Sequence, residues 1–202
     1  NPEVFTTQVG DSKNPLFVST ANDYSQYPAI VGYMYFMDRK GQIIRTIKKS
    51  ISANIHSVNS MRLNKDESII NLSDSLYVIS TDGDIKKTID YGALSAQFDS
   101  IKQNRYYAEV VFGKSVFEYK GHKNCIIIMR QFSGYGDAAY IDILSVDDEK
   151  IIDRFSLSNR SEMPPVVADI NKDGKLDLLV NSFDGYLYSC LLYTSDAADD
   201  TP

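Results

Sequence analysis

Apolar and polar positions alternate in short bursts along most of the chain, and turn-forming residues separate the bursts. Within residues 31–47, Val31-Gly32-Tyr33-Met34-Tyr35-Phe36-Met37 runs into Asp38-Arg39-Lys40-Gly41 and reopens as Ile43-Ile44-Arg45-Thr46-Ile47. A period of two, broken by a glycine turn and resumed, predicts a β-hairpin. The arrangement returns at residues 73–89, offset by 42 positions. Tyr35 falls on Tyr77, Gly41 on Gly83, Ile43 on Ile85, and Thr46-Ile47 on Thr88-Ile89. A looser copy runs from Tyr140 through Asp148-Glu149 to Phe155, and a fourth begins at Asp184-Gly185-Tyr186-Leu187-Tyr188.

A second hairpin precedes each of these. Residues 3–9 and 16–20 are joined at 10–14, residues 58–63 and 68–72 at 64–67, and residues 115–119 and 125–131 at 121–124. Residues 166–180 hold the fourth pair and its loop. Four strands per unit, at a spacing of about 40 to 50 residues, predicts the blades of a β-propeller. A single four-stranded sheet cannot cover both of its faces, so such units stack. The expected fold is therefore all-β, a propeller fragment of about three and a half four-stranded blades at 3–47, 55–89, 106–157 and 164–189.

The loop of the fourth unit carries the chain's most distinctive chemistry. Asp169, Asn171, Asp173 and Asp177 occupy spacing 1, 3, 5 and 9 of a calcium loop, with Gly174 at the bend and the Lys175 carbonyl at position 7. An EF-hand would need a bidentate glutamate at position 12, where Val180 stands, and helices where these flanks read as strands. As a strand-joining loop it resembles the calcium loop of FG-GAP and VCBS repeats in integrin-like propellers. That resemblance implies Ca2+ bound by Asp169, Asn171, Asp173, Lys175 and Asp177. The same residues would also make an Asx-rich turn without metal; the match at all four side-chain positions puts calcium first. In the second unit Arg62 stands opposite Asp169 and one residue is missing, so no cation is expected there. The tyrosine strand, Asp-Gly turn and isoleucine strand resemble PQQ-like blades. The absence of tryptophan speaks against the docking motifs of quinone-binding members.

Residues Cys190 to Asp200 read as a translated transposase-type sequencing adapter, so 190–202 are expected not to be native. The chain opens on Asn1-Pro2 without a methionine, and a fragment open at both ends is expected. Three acidic residues of the tail contribute to the net charge of −6, which leaves −3 for the body. That balance, with no basic block, gives no sign of nucleic-acid binding. No apolar run reaches the roughly twenty residues of a membrane span. Outside the tail Cys125 is alone in an apolar strand and reads as an inert, buried thiol.

The two histidines, His56 and His122, lie in different units without metal-ligand spacing. Asn54-Ile55-His56-Ser57 echoes the histidine-led blades of arylsulfotransferases, which makes His56 the one catalytic candidate carried over; its first reading is a polar residue at a blade entrance. Ser133-Gly134-Tyr135-Gly136-Asp137 lacks a nucleophile-elbow pattern and reads as a turn or binding loop. The expected function is an extracytoplasmic, calcium-stapled, non-catalytic module binding a protein or carbohydrate ligand. The alternative is part of a propeller enzyme, an arylsulfotransferase-like transferase or a calcium-dependent polysaccharide lyase.

Overall fold

Each predicted pair of hairpins closes into one antiparallel sheet in the computed structural model, which describes residues 5–10, 15–25, 30–51, 58–98, 107–133, 139–161 and 163–192. The first sheet holds β1 (Phe5–Gly10), β2 (Pro15–Asp23), β3 (Ile30–Met37) and β4 (Ile43–Ile51). The second holds β5 (Ser60–Arg62), β6 (Glu67–Leu72), β7 (Ser75–Ser80) and β8 (Ile85–Asp90). A short helix, α1 (Tyr91–Ala96), leads to the third sheet: β9 (Tyr107–Tyr119), β10 (His122–Ser133), β11 (Ala139–Ser145) and β12 (Lys150–Leu157). The fourth has three strands, β13 (Val166–Ala168), β14 (Asp177–Asn181) and β15 (Leu187–Leu191). In every sheet spatial order follows chain order.

The sequence repeat is a repeat of backbone geometry. Between β3 and β4 the register slips from Phe36↔Arg45 to Met37↔Ile43, and between β7 and β8 it slips from Val78↔Lys87 to Ile79↔Ile85. Both slips sit beside a glycine of positive φ, Gly41 at 77° and Gly83 at 83°, whose N–H donates to the carbonyl three residues back. Only a residue without Cβ takes that conformation cheaply.

The cores lie between sheets. Val18, Met34 and Phe36 meet Ile70, Leu72 and Ile79 at the first junction. Ile69, Leu76 and Val78 meet Phe112, Ile126, Ile128 and Leu144 at the second, and Ile127, Met129 and Ile141 meet Leu178 and Val180 at the third. The run Cys125–Met129 is thus buried on both faces, which explains why it is apolar throughout rather than alternating. β1 lies beside β5, β5 beside β9 and β9 beside β13. The first strands of successive sheets therefore share one side of the array, the side a ring turns to its axis. Stacked four-stranded sheets with this order form a propeller-like array. No helix among the described residues is long and apolar enough to cross a membrane.

A buried ionic cluster pins α1 to the third sheet. Asp90 caps the helix by accepting from Ala93 N at 3.0 Å. The Arg154 guanidinium donates to both oxygens of Asp142 at 2.7 and 2.8 Å and to Ser95 Oγ at 2.5 Å. Tyr91 OH donates to Asp142 Oδ2 at 2.7 Å, and burial, followed by that carboxylate, pushes the phenol well above its ordinary range. Asp142 is fully enclosed and engaged on both oxygens, so the cluster is a brace and not a site.

Candidate functional site

In an up-and-down sheet the first and third turns lie at the same end, so the β9–β10 and β11–β12 turns of the third sheet are neighbours. The first is a two-residue turn at Lys120 and Gly121, with φ of 48° and 79°, the paired positive values of a type I′ hairpin. It delivers His122 to the start of β10. Asn124, at φ 51°, opens a bulge before Cys125 resumes the register. Residues 146–149 form the other turn.

The two turns meet through side chains. His122 Nδ1 lies 2.7 Å from Asp148 Oδ2. Ser145 Oγ donates to the same oxygen at 2.7 Å and accepts from Asp148 N at 3.2 Å. The His122 hydrogen bond, then that from Ser145, holds the Asp148 carboxyl below its ordinary value of 3.8. A carboxylate on Nδ1 favours the Nδ1–H tautomer and leaves the lone pair on Nε2. The ring is one-third exposed, and no hydrogen bond to Nε2 is found among the described residues.

A cavity of about 270 Å³ opens between the second and third sheets, with Asn124 and Asp147 of these two turns in its lining. Its lining is mainly polar, from Asn64, Glu67, Lys86, Asn124 and Asp147, with Leu63 and the nearly buried Val78 and Val146 adding apolar atoms. Asn124 and Asp147 join across the turns at 2.9 Å, two residues from His122 and one from Asp148. Lys87 crosses from the second sheet, donating to the carbonyls of Val146 and Asp147 at 3.0 and 3.1 Å and pairing with Glu149 at 3.4 Å. The turn that carries Asp148 is thereby tied to the wall of the cavity.

The loop of the fourth sheet stands differently. Asp169 Oδ1 accepts from Asp173 N at 3.1 Å and Oδ2 from Gly174 N at 2.9 Å. Asn171 Oδ1 accepts from Asp173 N, Asp173 Oδ1 from Lys175 N, and Asp177 Oδ2 from Ile170 N. The Asn171 amide donates to Asp173 Oδ2 at 3.1 Å. The side-chain oxygens close Asx turns on their own backbone. Among the described residues no group of three His, Cys, Asp or Glu side chains is placed to hold a metal ion. The calcium expectation for Asp169, Asn171, Asp173, Lys175 and Asp177 is corrected: the sequence spacing is present, but the four side chains accept from backbone amides, Asp177 through Oδ2 with its Oδ1 unpartnered. In the second sheet Arg62 closes the equivalent turn by donating to the carbonyls of Asn64 and Lys65.

His56 and the loop at 134–138 lie outside the described residues. Cys125 is the inert thiol its strand predicts: it is fully enclosed, and burial pushes its pKa up to about 11. β15 runs through Cys190 and Leu191, so the first residues of the adapter-like stretch pair with β14.

No family model matches the sequence, and no curated protein matches it. Among solved structures the chain is similar to a tryptophan-substituted variant of Synechocystis apocarotenoid oxygenase, at 11% identity and a TM-score of 0.40. That match covers 95% of this chain and 47% of the other. A chimera of the oxygenase and RPE65 gives 11% identity, a TM-score of 0.39 and coverage of 95% and 49%. The chain spans about half the length of these structures. They are similar in fold, and their chemistry is their own. The reading of this chain as a non-catalytic, calcium-stapled module is nevertheless corrected. Among the described residues no group is placed to hold the calcium on which that reading rested. The extracytoplasmic location, drawn from the same loop, loses its support.

Proposed function

We propose that this chain is part of a propeller enzyme whose substrate site is the cavity between the second and third sheets. The observation that carries the reading is the conjunction at one end of the array. Leu63 and the polar groups of Asn64, Glu67, Lys86, Asn124 and Asp147 converge on one cavity, and the turn that lends it Asp147 also carries Asp148, the partner of His122. Ligand sites are typically concave, with convergent polar groups that orient the ligand. The repeated tyrosine strand and Asp-Gly turn support a place among PQQ-like propellers, without the tryptophans of the quinone-binding members.

A screen of the purified chain against chromogenic 4-nitrophenyl carboxylic esters, sulfates and glycosides tests the reading. Leu63→Trp places an indole at the lining of the cavity and is expected to lower turnover of the responding class at least about tenfold while the fold persists. Turnover indifferent to Leu63→Trp, or none in any class, contradicts the reading. A response confined to the sulfate would favour the transferase-like alternative, in which the acceptor is a second phenol.

A further inference from the structure

We infer that the end faces of the first and fourth sheets join two copies of this chain into a two-fold ring of sheets. The repeat shows what the face of the first sheet is shaped to receive. In β2 and β3 the pairs Phe17↔Met37, Ser19↔Tyr35 and Ala21↔Tyr33 put their side chains on the face turned away from the second sheet. The same positions one unit on are Ser68↔Ile79, Ile70↔Tyr77 and Leu72↔Ser75. There Ile70, Leu72, Tyr77 and Ile79 are buried, because Val18, Met34 and Phe36 of the first sheet pack on them.

The two equivalent faces differ in what lies on them. A Cβ on Gly83 would stand 3.0 Å from Leu16 Cδ2 and 4.0 Å from Phe36 Cδ1, both of the preceding sheet. One on Gly41, the repeat equivalent, would meet nothing within 4 Å. Tyr35 and Met37 are only half-buried where Tyr77 and Ile79 are buried. The Tyr33 and Tyr35 rings lie nearly parallel, 5.9 Å apart, on this face.

The fourth sheet ends the array on its other side. Leu178 and Val180 pack on the third sheet, so Leu179 between them faces away, in register with Val166. Leu187, paired with Asn181, shares that outward face by alternation along β14. Val166 and Leu187 are 52% and 68% exposed. The second and third sheets are covered on both faces, so these are the two end faces among the described residues.

An apolar sheet face is buried by packing another layer on it. At the first junction that layer is the following face of the sheet before, and the corresponding face of the fourth sheet is the one left over. A two-fold pair covers both ends at once: the Tyr35 face of each copy meets the Leu187 face of the other. Two arrays of four sheets make eight, within the four to eight blades with which propellers close.

Sedimentation equilibrium of the full chain tests the inference. A mass of twice 22.7 kDa at micromolar concentration is expected. Tyr35→Glu and Leu187→Glu are each expected to raise the dimer dissociation constant at least about 100-fold, since each buries an unpaired charge in both junctions. Urea midpoints establish that each variant folds, and Ala21→Glu, on the same face, replaces Tyr35→Glu where that one does not. Mixing the two variants decides the geometry, because one junction of the mixed pair carries no substitution. Native mass spectrometry with one variant ¹⁵N-labelled is expected to show mixed dimers in excess of like pairs. A monomer at every concentration overturns the inference, as does a dimer that Leu187→Glu leaves unchanged or a mixture that associates no better than either variant alone. A mass that keeps growing past two copies also overturns it, since the contact would then not close.

Discussion

His122 and Asp148, 26 residues apart on different turns of one sheet, meet at 2.7 Å because the first and third turns of a four-stranded meander share an end. The contact fixes the sign of a pH effect. Asp148 has a folded pKa below 3.8, so its contribution to stability is fully present above that value and is lost as pH falls through the folded value. His122→Ala is expected to return the Asp148 pKa toward 3.8 in a carboxylate NMR titration. An unchanged titration would show that the His122 bond does not hold the carboxylate down.

Removing the partner of a buried guanidinium has a larger effect. Asp142 is fully enclosed and Arg154 nearly so, joined by two charge-assisted bonds and flanked by the rings of Phe98 and Tyr140. Asp142→Ala is expected to cost about 3–5 kcal/mol in urea unfolding, because it leaves Arg154 buried without its carboxylate. Asp142→Leu combined with Arg154→Met should recover much of that loss. A single substitution costing less than about 1 kcal/mol would mean that solvent reaches the cluster.

Gly113 lies where β9 bulges against β10 and the fourth sheet approaches. A Cβ there would stand 2.9 Å from Ile127 Cβ and 3.2 Å from the Pro165 carbonyl. Gly113→Ala is expected to cost about 1–3 kcal/mol and to be read out as a lower Tm. A neutral result would show that the bulge relaxes freely.

The loop of the fourth sheet offers a test of its metal-free reading. Asp177 is 2% exposed, and its Oδ1 has no hydrogen-bond partner. Burying a carboxylate oxygen unpaired costs stability. Asp177→Asn is expected to leave Tm unchanged or raise it, equally in chelator and in millimolar calcium. A calcium-dependent rise in the wild type that Asp177→Asn abolishes would contradict the Asx-turn reading.

Much of the fold was legible because it repeats. The 42-residue offset that aligns Gly41 with Gly83 also aligns the two register slips, so local sequence and backbone agree position by position. The helix α1 was not legible: Tyr91-Gly92-Ala93-Leu94-Ser95-Ala96 is too short for a 3.6-residue period to declare itself, and its docking depends on Arg130 and Arg154 far along the chain. β9 begins eight residues before the expected Ser115, because the bulge around Gly113 breaks the alternation that would have extended the strand. The loop at Asp169 misled for a physical reason. The oxygens that gather around a cation are the same ones that cap backbone N–H groups in Asx turns, and spacing alone does not separate the two uses. The His122–Asp148 pair was hidden as two unremarkable turns. A four-stranded meander over the third unit brings Gly121-His122 against Asp148-Glu149, and that topology was the signal available.

The most direct measurement of the central claim is the set of intermolecular NOEs between phenol and a methyl-labelled sample of the chain. Contacts from the phenol ring to the methyls of Leu63, Val78 and Val146, lost in Leu63→Trp, are the expected result. Contacts confined to other methyls, or none at saturating phenol, would contradict a substrate site between the second and third sheets.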